Sequence, residues 1–131
     1  MRFGEDTWSI QPPSGWSAWH DEECAAMEAE PAVGALQISA AFKDSEVSHE
    51  DLLDLASELI EEGALPIDVV AGEFEGITLC YAEDDSHWQH WYLRSGDQLL
   101  FVTYNCPAAL RGVEDEVVGA ALNTLSSTGA V

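Results

Sequence analysis

Residues 87–105 read HWQHWYLRSGDQLLFVTYN, and the fold turns on how the first half of this stretch is read. On a helix, His87 and His90, three positions apart, would share a face and could converge on a metal. On a strand they part. The run alternates His87, Gln89, Trp91 and Leu93 against Trp88, His90, Tyr92 and Arg94. It is rich in aromatic strand formers and leads into the turn Ser95-Gly96-Asp97. A strand is predicted over His87–Arg94, with the histidines on opposite faces of a sheet. Gln98–Asn105 then forms its antiparallel partner, because so short a loop forces neighbouring strands to run in opposite directions.

Outward from this hairpin the pattern continues. Ile67–Phe74 and Ile77–Glu83 read as two further strands, separated by Glu75-Gly76 and followed by a loop over Asp84–Ser86. Upstream, Ser48-His49-Glu50-Asp51 is a capping pattern, and Leu52, Leu55, Ala56, Leu59 and Ile60 fall on one helical face up to Gly63. Ala25–Glu30 and Ala35–Phe42 form a hairpin broken at Pro31–Gly34, and Thr7–Gln11 is a short strand ended by Pro12-Pro13-Ser14-Gly15. Beyond Cys106-Pro107, Val113, Val117, Val118, Ala121, Leu122 and Leu125 line a second helix with Glu114, Asp115 and Glu116 in its first turns. The order is three strands, a helix, four strands and a helix. It predicts an α+β fold, one antiparallel β-sheet flanked by helices, as a single domain over residues 1–131.

Composition narrows the function. Twenty-five acidic residues face four basic ones, Arg2, Lys43, Arg94 and Arg111, for a formal net charge of −21. Such a surface repels phosphate backbones and anionic lipid, so nucleic acid and membrane are poor partners. A basic protein would instead be steered in by the same field. The acidity also serves solubility. Cys24, Cys80 and Cys106 are odd in number and widely spaced, which predicts reduced thiols. The N-terminus has no signal-peptide run, and no segment approaches about 18 apolar residues. A cytoplasmic protein is expected.

The turn and strand motifs carry a family resemblance. WSIQPPSGW, ALQIS, the capped helix, FEGITLCYAE, HWYLRSGDQLLFVTYN and the closing amphipathic helix resemble the PsbP-like α/β/α sandwich superfamily, over about residues 6–126. That group includes photosystem extrinsic subunits, a Ran-binding nuclear-import factor and bacterial DcrB-type proteins. The resemblance implies a non-catalytic scaffold that binds other proteins, and it carries no functional residue over position by position. The chain is expected to differ from exported members in having no leader, and it departs from many in its acidity.

Chemistry-bearing residues are few. Asp84, Asp85 and His87 could place two carboxylates and an imidazole near a divalent ion, the basis of an alternative reading as a small metal-dependent hydrolase. Three or four ligands with an outer shell are normally needed. Cys24 follows His20 by four residues, a nucleophile pair only if that segment were helical. No nucleophile elbow, zincin helix, Walker loop or EF-hand loop occurs. Trp8, Trp16, Trp19, Trp88, Trp91, Tyr92 and Tyr104 are more aromatic surface than a small core must hold. Trp88, His90, Tyr92 and Arg94 form the expected binding stripe, provided no helix covers it. No enzyme activity, metal or cofactor is expected. The sequence predicts an acidic protein-binding domain for a basic partner, in the manner of a bacterial immunity protein or a secretion adaptor or chaperone, and a homodimer stays open.

Overall fold

The computed structural model describes residues 2–22 and 24–127. A hairpin of β1 (Phe3–Glu5) and β2 (Trp8–Ile10) precedes a seven-stranded sheet. The sheet holds β3 (Trp16–His20), β4 (Ala25–Ala29), β5 (Ala35–Phe42), β6 (Ile67–Ala71), β7 (Phe74–Glu83), β8 (Ser86–Ser95) and β9 (Gln98–Pro107). Its spatial order is β3-β4-β5-β9-β8-β7-β6, and every neighbouring pair is antiparallel. Between β5 and β6 lie α1 (His49–Leu55) and α2 (Ser57–Glu61), and α3 (Asp115–Leu122) follows β9. The expected α+β class, an antiparallel sheet flanked by helices, is the class observed.

The strand period distributes side chains between two unequal cores. On the first face Met27, Leu36, Ile38, Phe74, Trp91, Leu93, Leu100, Val102 and Tyr104 pack with Trp8 and Ile10 of the small hairpin and with Val118, Ala121, Leu122 and Leu125. On the second face α1 and α2 bring Leu52 and Ala56, with Val47, onto Ile77, Leu79 and Tyr92. The first core is closed along most of the sheet. The second is confined to the β7–β8 side.

Several local features differ from the sequence reading. The turn expected at Glu75-Gly76 lies earlier, at Gly72-Glu73, where Gly72 has φ +62° and β6 pairs Ala71 with Phe74. Gly76 sits inside β7 because a Cβ there would collide with the backbone carbonyl of Tyr92. The helix expected from Ser48 to Gly63 is interrupted at Ala56, which caps α1 and precedes α2. Its start is as expected: Ser48 Oγ accepts from the Asp51 amide at 3.1 Å and Asp51 accepts from the Ser48 amide at 2.9 Å. Lys43 donates to the same carboxylate at 2.6 Å, and that bond is the main cause holding Asp51 down to about 2. The closing helix is shorter than the apolar pattern suggested, since residues 108–110 form a 3-10 turn and Val113 lies outside α3, exposed. β3, which the sequence reading lacked, adds an edge strand carrying Trp19.

One polar cluster ties α3 to the sheet. The buried Glu114 accepts from the Tyr104 hydroxyl at 2.6 Å and from the Gly34 amide at 3.1 Å. Burial, and then this bond, push the Tyr104 phenol well above its usual range. Both bonds fall on Oε1, and they offset part of the cost of burying this carboxylate.

Candidate functional site

The register fixes which aromatic residues meet. Asp84 and Asp85, with φ 50° and 65°, form a two-residue loop between Glu83 and Ser86, the left-handed pair that a tight hairpin turn requires. Tyr81 therefore lies opposite Trp88, Leu79 opposite His90 and Ile77 opposite Tyr92. The second tight turn, at Gly96-Asp97, sets Tyr92 against Phe101 and His90 against Thr103. Trp88, His90, Tyr92 and Arg94 share one face, as expected. His87 stands opposite Ala82 and Cys106 on the other.

The stripe is divided by α1. Tyr92 is 7% exposed under Leu52 and Ala56, so it belongs to the second core. Arg94 donates to the Val47 carbonyl at 2.8 Å and to Glu75 at 3.0 Å, anchoring the segment that leads into α1. Trp88 and His90 lie beyond the helices, half-buried. There they join Tyr81 and Phe101, with Cys24, Gln37, Ser39 and Thr103, around a shallow depression of about 330 Å³. Next along the same row of the sheet are Ala26, opposite Gln37, and Trp19, opposite Ala26 and 39% exposed.

His90 organises this depression. Its ring stands nearly perpendicular to Tyr81 (84°), Trp88 (82°) and Phe101 (89°), with centroids 5.1, 6.2 and 5.2 Å away. These edge-to-face arrangements suit aromatic quadrupoles. Nε2 lies 3.2 Å from the Tyr81 hydroxyl and Nδ1 3.3 Å from that of Tyr92. A neutral imidazole satisfies both, one nitrogen donating and the other accepting. Burial lowers the His90 pKa and favours that neutral form. Burial also raises the Tyr81 pKa, with Glu83 and Glu62 adding to the rise through their charges. Negative charge thus borders the aromatic floor.

The other candidates are not assembled. Among the described residues, no group of three or more histidine, cysteine or acidic side chains is placed to hold a metal ion. Asp84 and Asp85 are exposed turn residues, and the described cysteines form no disulfide with one another. The helix that a His20–Cys24 nucleophile pair would need does not form: His20 lies on β3, 3.0 Å from the Gly4 carbonyl and 3.5 Å from Glu5, its ring tilted by 31° against that of Phe3. Of the remaining aromatics, Trp8, Trp91 and Tyr104 are buried in the first core, and Trp16 packs against it. Among the described residues, no helix is long and apolar enough to cross a membrane.

No family model matches the sequence, and no curated protein does. Solved structures do. A crystal structure from Bacteroides thetaiotaomicron VPI-5482 superposes over 93% of this chain and 45% of its own, with a TM-score of 0.68 and 16% identity. LpqN of Mycobacterium tuberculosis matches with 93% and 83% coverage, TM-score 0.66 and 10% identity. The solution structure of a cyanobacterial PsbP from Synechocystis sp. PCC 6803 is also similar, with 97% and 91% coverage, TM-score 0.48 and 10% identity. The chain thus spans less than half the length of the Bacteroides protein. The likeness is one of fold.

Sequence reasoning found Trp88 and His90 and counted Trp19 among the surplus aromatics, but it missed Tyr81, Phe101 and Gln37 and the strand that carries Trp19. The signal was in the turns. Treating the Asp-Asp and Gly-Asp loops as two residues long, rather than three, brings Tyr81 opposite Trp88 and Phe101 opposite Tyr92.

Proposed function

We propose that this chain is a non-enzymatic, acidic protein-binding domain that takes a basic partner on the half of its second sheet face left open by α1 and α2. The observation carrying this reading is the aromatic depression around Trp88 and His90, lying beyond the helices that bury Tyr92. Half-buried tryptophan and tyrosine next to a bare sheet surface have the character of interface anchors. A net charge of −21 supports a basic partner, because the long-range field accelerates its approach. Immunity proteins and secretion adaptors or chaperones acting in the cytoplasm are two forms such a domain takes. LpqN, similar in fold, is described as involved in cell envelope biogenesis.

The test is capture by immobilised protein from cells of the source organism at low salt, followed by reconstitution with the purified partner. A basic protein is expected, held by wild type, lost with Trp88→Ala and released as the salt rises to about 0.5 M. Equal binding by wild type and Trp88→Ala would remove the reading.

A further inference from the structure

We infer that the depression formed by Cys24, Gln37, Tyr81, Trp88, His90 and Phe101 receives an arginine side chain from the basic partner, an inference that rests on the reading above. A depression of about 330 Å³ is at the small end of binding cavities, the scale of one inserted side chain and not of a large cofactor. Its walls are π-faces and ring edges in fixed mutual orientation. Guanidinium groups stack on such faces and are less strongly hydrated than ammonium groups, so they lose less on leaving water.

Charge points the same way. Among the described residues no lysine or arginine lines the depression. The chain's own cations are engaged elsewhere: Arg2 with Ser9 and the Thr124 carbonyl, Lys43 with Asp51, and Arg94 with Glu75 and Val47. Arg111 is close enough to Cys80, which alternates with Tyr81 along β7, for its charge to act there. Glu62 and Glu83 are close enough for their charges to act on Tyr81. His90, held between the two tyrosine hydroxyls, adds no opposing charge in its neutral form. A second copy of the chain is a poor occupant, because two bodies of charge −21 repel. A cation-seeking aromatic surface is left, and arginine is the side chain that combines charge with a planar face.

The experiment compares fluorescein-labelled octa-arginine with octa-lysine by anisotropy at about 50 mM and 150 mM salt. The peptides carry equal charge, so diffuse attraction to the acidic surface affects both alike. Octa-arginine is expected to bind about fivefold more tightly or better. Trp88→Ala should weaken octa-arginine about tenfold and abolish the preference, whereas Trp88→Phe, which keeps a ring, should retain most of it. The pair Glu62→Gln and Glu83→Gln should weaken both peptides, and more than Asp115→Asn with Glu116→Gln on α3. Equal affinity for the two peptides, an unchanged preference in Trp88→Ala, or a wild-type dimer that separates only in that variant would each overturn the inference. If the captured partner depends on Trp88 but octa-arginine has no advantage, the open face remains a binding surface and only its arginine specificity fails. If neither depends on Trp88, both readings fall.

Discussion

Replacing Glu114 by alanine should destabilise the domain by about 3 kcal/mol. The carboxylate accepts from Tyr104 Oη and the Gly34 amide, and all three residues are buried. Hydrogen bonds to a charged group contribute roughly 1.5–3 kcal/mol each, so two of them set a gross loss of about 3–6 kcal/mol. Removing the buried charge returns part of this, since the native state no longer bears its desolvation. With a urea slope of about 2 kcal/mol/M, the unfolding midpoint should fall by about 1.5 M. Tyr104→Phe alone should cost less, because Glu114 keeps the Gly34 bond. The double mutant should then show a coupling of at least about 1 kcal/mol. Urea unfolding followed by tryptophan fluorescence measures all three variants. A midpoint shift under about 0.25 M for Glu114→Ala would refute the claim that this cluster fastens α3 to the sheet.

Further outcomes follow from other sites. Ser48→Ala removes the side-chain half of the capping box and should cost about 1 kcal/mol by urea titration, an unchanged midpoint contradicting the cap. Burial depresses the His90 pKa from 6.5, so its contribution to stability is present above pH 6.5 and lost as the pH falls through its folded value. The groups facing it are Tyr81, Tyr92, Trp88 and Phe101, with Glu62 and Glu83 nearby. Stability measured from pH 7.5 down to about pH 5 should therefore fall more steeply in wild type than in His90→Gln, and parallel curves would count against this assignment. Changing Asp84-Asp85 to Asn-Gly should hold or raise stability by up to about 1 kcal/mol while leaving partner binding intact, since both positions serve a left-handed turn. A loss of binding in that variant would return the two aspartates to the functional site.

Much of the sheet was legible because strand alternation and short loops constrain one another. HWQHWYLRSGDQLLFVTYN gives its faces directly, and the facing positions of Trp88 and His90 follow. Gly76 misled because a glycine beside an acid looks like a turn, whereas its role is to let β7 approach the Tyr92 backbone, a requirement only the paired strand reveals. The same limit applies to the site. Alternation places Tyr92 beside His90, but only the packing of Leu52 and Ala56 determines which of the two is covered. Trp19 was legible as an aromatic residue, while its place on the open face depended on two intervening strand registers. Composition supplied the negative field but no position for it. Glu62 and Glu83 acquire a part only through their proximity to Tyr81.

The most direct test of the account is hydroxyl-radical footprinting of the purified protein with and without its reconstituted partner. Protection is expected at Trp88, Tyr81, Phe101 and Trp19, with little change at the exposed Leu65 just before β6, at Ile67 and Val70 on it, or at Val113 and Val117 near α3. Protection confined to β6 or α3, with Trp88 and Trp19 as reactive as in the isolated chain, would contradict the assignment of the open half-face as the binding surface.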